Sequence, residues 1–281
     1  MPFCKVFHLL KVGIFPMSIT LDIPNLLEQF DAEGFLVLPG VLPKEFVAEL
    51  LEGVQRFFSI PNADAKMYGG DMEQIWRPRM FEQGEAFERL IDYSPVIDLV
   101  EAVLGKDCHI IANSALRTGP GQGISGWHVD EAVRFPRPKG VPLDPRISAP
   151  CLVLNLNYYL CDVDEELGPT EFVPTSHRSG RQPEAADFDA NGEPSYEGHQ
   201  VFRGVGPAGT VVLWNDQTWH HGAKNRSKDR IRWVQQAPYG RRYISQRFYP
   251  FINYHMPEEI LERANPRRKG LLGLHGIGAY G

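Results

Sequence analysis

Two imidazoles and one carboxylate can hold a divalent metal on one face, and this chain carries candidates for them in two short segments. The first is Gly126-Trp127-His128-Val129-Asp130. In an extended strand, side chains two apart point to the same side, so His128 and Asp130 can aim at one point. A third donor must come from elsewhere, and Trp219-His220-His221-Gly222, about ninety residues on, offers two imidazoles. Neighbouring strand residues face opposite ways, so only one of His220 and His221 can join the dyad from a regular strand. Such a triad with open positions suits a non-haem Fe(II) oxygenase. Zinc hydrolases use similar ligands, so the triad alone leaves both chemistries open. Just beyond it, Arg230 and Arg232 share strand parity and bring guanidinium groups, whose fork matches a carboxylate.

The elements that must position these groups can be read from apolar spacing and turn formers. A helix is predicted from Asp22 to Asp31, stopped by Gly34, followed by a short strand from Phe35. A longer helix follows, with Pro43 in its first turn and Phe46, Val47, Leu50, Leu51 and Val54 along one face. Residues 59–90 read as loop with short helix, and Ser94 as the cap of a helix through Leu104. From His109 the texture is β. The glycine-rich loop Gly119 to Gly126 leads into a strand from Trp127 to Asp130. Residues 151–160 alternate so that Asn155, Asn157 and Tyr159 share one side. Further strands are expected at Gly209 to Trp214, Thr218 to Ala223 and Ile231 to Tyr239, with a polar surface excursion at 178–200. The letters Gly121-Gln-Gly-Ile-Ser-Gly126 match a dinucleotide fingerprint, but strand rather than helix follows, which removes the phosphate site. Helices first and then many short strands predict a mainly β fold, a sandwich or barrel with helices packed outside.

Bulk properties narrow the classes. A hydrophobic share of 43%, a charged share of 23% and a net charge of -6 describe an ordinary soluble globular chain, with no nucleic-acid partner expected. No apolar run approaches the roughly 20 residues that span a bilayer, so no membrane partner is expected either. Cys4, Cys108, Cys151 and Cys161 form no C-x-x-C pair and suit free thiols in a reducing, cytoplasmic setting. Residues 1–16 are expected to be an N-terminal extension and residues 17–281 a single domain. Oligomeric state is not legible.

The conjunction of segments resembles the phytanoyl-CoA dioxygenase family of Fe(II)/2-oxoglutarate oxygenases, over about Leu27 to Tyr239. "EQFDAEGFLVLPGVL" is similar to that family's opening helix and strand, "GWHVD" to its first ligand pair, "GPTEFVPTSH" to its internal turn and "WHHGAKNRSKDRIR" to its distal segment. Two details depart: the family usually has glycine where Thr175 stands, and one residue fewer between Asn225 and the arginine. The resemblance implies a double-stranded β-helix, a jelly-roll or cupin-like barrel. It implies His128, Asp130 and His220 as the metal and catalytic set, and Arg232 as the residue that binds 2-oxoglutarate. Counting back from Arg232 keeps His221 open as the distal ligand, and Arg230 remains open for the cosubstrate. The implied cofactors are Fe(II), 2-oxoglutarate and O2. The implied reaction is hydroxylation of a small organic substrate, such as an acyl-CoA, an amino-acid derivative or a secondary metabolite, with succinate and carbon dioxide released. Asn113, Asn155 and Tyr159 are further candidates for holding the cosubstrate. A zinc-dependent hydrolase with the same ligands and a non-catalytic ligand-binding barrel are the alternatives.

Overall fold

The computed structural model describes residues 20–61, 75–130, 133–138, 141, 144, 146–248 and 251–276; the extension expected at residues 1–16 lies outside them. Helix α1 (Ile23–Glu33) starts at Asp22, whose carboxylate accepts the Asn25 N–H, and stops where Gly34 turns to φ 83° and returns its N–H to Phe30. Glycine is needed there for its backbone freedom and because a Cβ would fall 2.3 Å from Nδ1 of His177. Strand β1 (Phe35–Leu38) follows at once. Helix α2 (Lys44–Phe58) buries Val47, Leu50 and Val54, with Pro43 as its cap rather than inside its first turn. Within the span 59–90 the described residues 75–90 hold β2 (Trp76–Pro78), a 3-10 turn (Met80–Gln83) and α3 (Glu85–Ile91), where loop with short helix was expected. Helix α4 (Val96–Leu104) completes the first half.

The β half comprises β3 (His109–Ile110), β4 (Ser114–Thr118), β5 (Ile124–His128), β6 (Val153–Tyr159), β7 (Thr170–Phe172), β8 (Phe202–Gly204), β9 (Val211–Asn215), β10 (His220–Gly222), β11 (Arg232–Gln236) and β12 (Tyr239–Gly240). Two short helices, α5 (Glu258–Arg263) and α6 (Pro266–Leu271), end the described chain. All pairings are antiparallel. The large sheet runs β1-β9-β6-β11-β4-β2, with β12 and β3 attached beside β6, and the small sheet runs β5-β10-β7-β8.

Period-two alternation sorts the core into layers. Leu154, Leu156 and Tyr158 of β6 and Leu213 of β9 face the helices, packing with Leu50 and Phe87. The alternate residues Tyr159, Val212, Trp214 and Val234 face the small sheet, where they meet Phe172. Phe35 and Phe172 stack across the gap with ring centroids 4.6 Å apart. Val201 and Tyr196, from the end of the polar excursion and just beyond it, pack with Trp219 and Val129 over the outer face of the small sheet.

The expectation of a mainly β double-stranded β-helix, a jelly-roll or cupin-like barrel, is overturned. The fold is mixed α/β with two separate sheets, and among the described residues neither closes: β1 and β2 end one, β5 and β8 the other. The edges β1 and β8 meet only through side chains, with Phe35 and Phe202 ring centroids 5.0 Å apart. Alternation tells which face a strand buries, whereas closure depends on whether edge backbones come within hydrogen-bonding reach, which local patterning does not encode. No helix among the described residues is long and apolar enough to cross a membrane.

Candidate metal centre

In the antiparallel pair β5 and β10, His128 lies directly opposite His220. Cross-strand partners share a face, so both imidazoles enter the space between the sheets, with ring centroids 4.4 Å apart. The register then shifts, so that Gly222 faces Ile124. Asp130 falls two residues past the end of β5 rather than within it as expected. Its backbone N–H is held by Asp216 O at 3.1 Å, and this brings its carboxylate back to the histidines. Oδ1 stands 3.6 Å from Nε2 of His128 and Oδ2 3.3 Å from Nε2 of His220. Donor atoms of the three residues all lie within 4.8 Å of one another, the one such group among the described residues.

Each donor is oriented from behind. Nδ1 of His128 donates to Gly126 O at 2.7 Å and Nδ1 of His220 to Thr218 O at 2.8 Å. A carbonyl can only accept, so each Nδ1 carries a proton and Nε2 is the nitrogen turned toward the centre, the one a metal would take. Oδ2 of Asp130 accepts from Asn155 Nδ2 at 2.7 Å and Trp214 Nε1 at 3.2 Å. Desolvation works against the charge on Asp130, but the two histidines beside it more than offset this and hold its carboxyl well below the usual range. His128 is pushed up in turn, chiefly by its contact with Asp130.

His221 points the other way. Its Nε2 donates to Glu171 at 2.8 Å and its ring lies on Trp127 with centroids 4.3 Å apart, on the face of the small sheet opposite the triad. The two arginines separate as cleanly. Arg230 is half-buried and paired with Asp164 and Glu166 at the surface. Arg232 is only 3% exposed, touches Ala223 O and Thr118 Oγ1 at 3.3 Å each, and has no carboxylate partner among the described residues. Burial alone pushes its pKa down.

One cavity of about 90 Å³ is lined by His128, Asp130, His220 and Arg232 together, with Asn157, Thr170, Trp214 and Gln236 among its other walls. Of the three further candidates for holding the cosubstrate, two lie away from the cavity and one acts on a metal-centre residue. Asn113 is buried and accepts the Phe81 N–H, Tyr159 donates to Gly204 O in the core, and Asn155 serves Asp130. Trp214, Asn157, Thr170 and Gln236 were missed. Strand parity marks two of them, since Asn157 shares the inward face of β6 with Asn155, and Trp214 pairs with Asn155 across β9.

Two imidazole nitrogens and one carboxylate are a donor set suited to a borderline divalent metal such as Fe(II), and the Nδ1 bonds to Gly126 and Thr218, which turn each Nε2 to the centre, fit it. A family model described as phytanoyl-CoA dioxygenase (PhyH) matches residues 30–233. The fold is similar to that of HygX from Streptomyces hygroscopicus, solved with nickel and 2-oxoglutarate bound, at 18% identity over 79% of this chain and 88% of that one, with a TM-score of 0.59. It is also similar to SnoN, described as a non-heme alpha ketoglutarate dependent epimerase from nogalamycin biosynthesis, at 20% identity over 78% of this chain and 82% of that one, with a TM-score of 0.57. A complex of SnoN with Fe3+, alpha ketoglutarate and nogalamycin RO matches at 21% identity over 80% and 86%, with a TM-score of 0.59.

Proposed function

Because the chain belongs to the phytanoyl-CoA dioxygenase family and is a 2-oxoglutarate-dependent oxygenase, we propose that it uses Fe(II) and O2 to hydroxylate a small organic molecule. His128, Asp130 and His220 hold the metal, and Arg232 holds the distal carboxylate of 2-oxoglutarate. The observation that carries this reading is a triad and a buried guanidinium, without a carboxylate partner among the described residues, lining one small cavity. An uncompensated buried charge costs several kcal/mol, so a ligand anion is the natural counter-charge for Arg232.

When bound, iron, 2-oxoglutarate and O2 supply the oxidising power that replaces a substrate C–H by C–OH while the cosubstrate leaves as succinate and carbon dioxide. The chain's own part is arrangement. The two Nδ1 bonds to Gly126 and Thr218 fix the tautomer and ring plane of each histidine before any metal arrives. Arg232 is held by Thr118 and Ala223 with its fork in the cavity wall, which sets the direction in which a dicarboxylate lies. Leu116, Trp214 and Val234 supply the apolar part of the cavity wall. Among acyl-CoA, amino-acid derivative and secondary metabolite, likeness to SnoN, solved with nogalamycin RO, favours a secondary metabolite.

The test is release of carbon dioxide from carboxyl-labelled 2-oxoglutarate by anaerobically purified protein supplied with Fe(II), ascorbate and O2. Iron-dependent release, lost in His128→Ala, is expected. No release, coupled or uncoupled, together with zinc as the recovered metal, would overturn the proposal.

A further inference from the structure

Asn155 and Trp214 are register partners on neighbouring strands β6 and β9 of the large sheet. Both reach across the gap and donate to the same oxygen, Oδ2, of Asp130, which hangs beyond the end of β5 on the other sheet. A carboxylate oxygen offers about two lone-pair sites, and these two N–H groups use both sites of Oδ2. Among the described residues no amide or indole N–H reaches Oδ1, whose near neighbour is Nε2 of His128 at 3.6 Å. The indole has little room to withdraw: Trp214 is buried, with its ring 5.0 Å from that of His220 and 5.6 Å from that of Phe172.

We infer that Asn155 and Trp214 are positioning residues that reserve Oδ2 of Asp130 for the protein and present Oδ1 alone to the metal. The inference rests on the metal-centre reading above and concerns how the carboxylate binds rather than whether it does. A carboxylate free to turn can ligate through both oxygens and take up a further coordination position; one oxygen leaves three positions for a two-point cosubstrate and O2. The clamp also explains why Asp130 needs no strand. Its carboxylate is oriented by the opposite sheet, so the two layers are tied together at the metal ligand itself.

The test uses the full chain, Ni2+ alone as probe, and the variants Asn155→Ala, Trp214→Phe and the double. Trp214→Phe keeps a ring against His220 and removes only the N–H. Calorimetry is expected to show Ni2+ binding about 10- to 100-fold weaker in each single variant, the range typical for outer partners of metal ligands. Infrared difference spectra of protein labelled with 13C at aspartate carboxyls give the second readout. The separation between antisymmetric and symmetric carboxylate stretches should be wide in the unsubstituted protein, as for one-oxygen ligation, and narrow in the double variant. Thermal melts of the metal-free proteins report folding, and if Trp214→Phe does not fold, the part-exposed Asn155 carries the test. Unchanged affinity, or weaker binding with an unchanged separation, overturns the inference while leaving the metal centre standing. Failure of the unsubstituted protein to bind Ni2+ overturns the metal-centre reading and this inference with it.

Discussion

His220 and His221 are neighbours in the chain and lie on opposite faces of a sheet, so their substitutions should separate sharply. His220→Ala is expected to weaken Ni2+ binding by more than about 100-fold, beyond the effect of losing an outer partner. His221→Phe, which keeps the ring on Trp127, should stay within about 10-fold; calorimetry on both variants checks this. Arg232 makes a two-sided prediction. Arg232→Leu should cost about 2–5 kcal/mol in 2-oxoglutarate affinity, as expected for removing one partner of a buried charge pair. The same change should raise the melting temperature of the ligand-free protein, because an uncompensated buried cation is replaced by apolar volume. His177 sets a pH window. Burial pushes its imidazole down from 6.5 to about 4, so between these values the unfolded chain binds a proton that the folded one refuses. Its contribution is therefore level above pH 6.5 and lost as pH falls toward 4, by roughly 3 kcal/mol once pH is below both values. Denaturant midpoints at pH 7 and pH 4.5 should show a smaller drop in His177→Gln than in the unsubstituted protein. His109 and His275, also pushed down by burial, are present in both and cancel.

At the level of elements, the turn after β7 holds the feature most amenable to stability engineering. Thr175 sits at φ 65°, a left-handed conformation that a β-branched residue adopts at a cost of roughly 1–2 kcal/mol, and its buried hydroxyl finds no partner among the described residues. That is the position where the resembled family usually has glycine, so the departure in sequence has a backbone meaning. Thr175→Gly is expected to raise stability by about 1 kcal/mol, read from the denaturant midpoint, with the greater freedom of an unfolded glycine reducing the gain. Elements with strong punctuation were legible from residues alone: α1 between Asp22 and Gly34, and the inward face of β6 through its alternation. The strand leading to Asp130 was drawn too far along the chain, since β5 begins at Ile124 and ends at His128 rather than at Asp130. The dyad converges through a hydrogen bond to Asp216 that no period-two rule contains. Trp214 went unrecognised because a tryptophan among valines reads as packing, and only its N–H across the gap gives it a second role.

For the molecule as a whole, the groups that meet in the cavity come from both halves of the β region: His128 and His220 from the small sheet, Arg232 and Trp214 from the large one. Residue types and spacing pointed to that meeting, but the shape of its container was not legible. Two edges, β1 and β8, approach through phenylalanine rings without backbone pairing, and a pattern of alternating strands is equally compatible with closure. Metal and 2-oxoglutarate added together should stabilise more than either alone, because each brings its own contacts with one sheet or the other. At a hundredfold excess over its dissociation constant, a ligand of the folded state contributes about 2.7 kcal/mol, and a thermal shift assay with Ni2+, 2-oxoglutarate and both reads this directly.

The spacing between the two layers is thus maintained by ring stacks and the grip on Asp130 rather than by a continuous ladder. Such a joint responds to compression by squeezing its internal void. Hydrostatic pressure should therefore tune cosubstrate occupancy in this enzyme while leaving the helix-covered side of the large sheet almost unmoved.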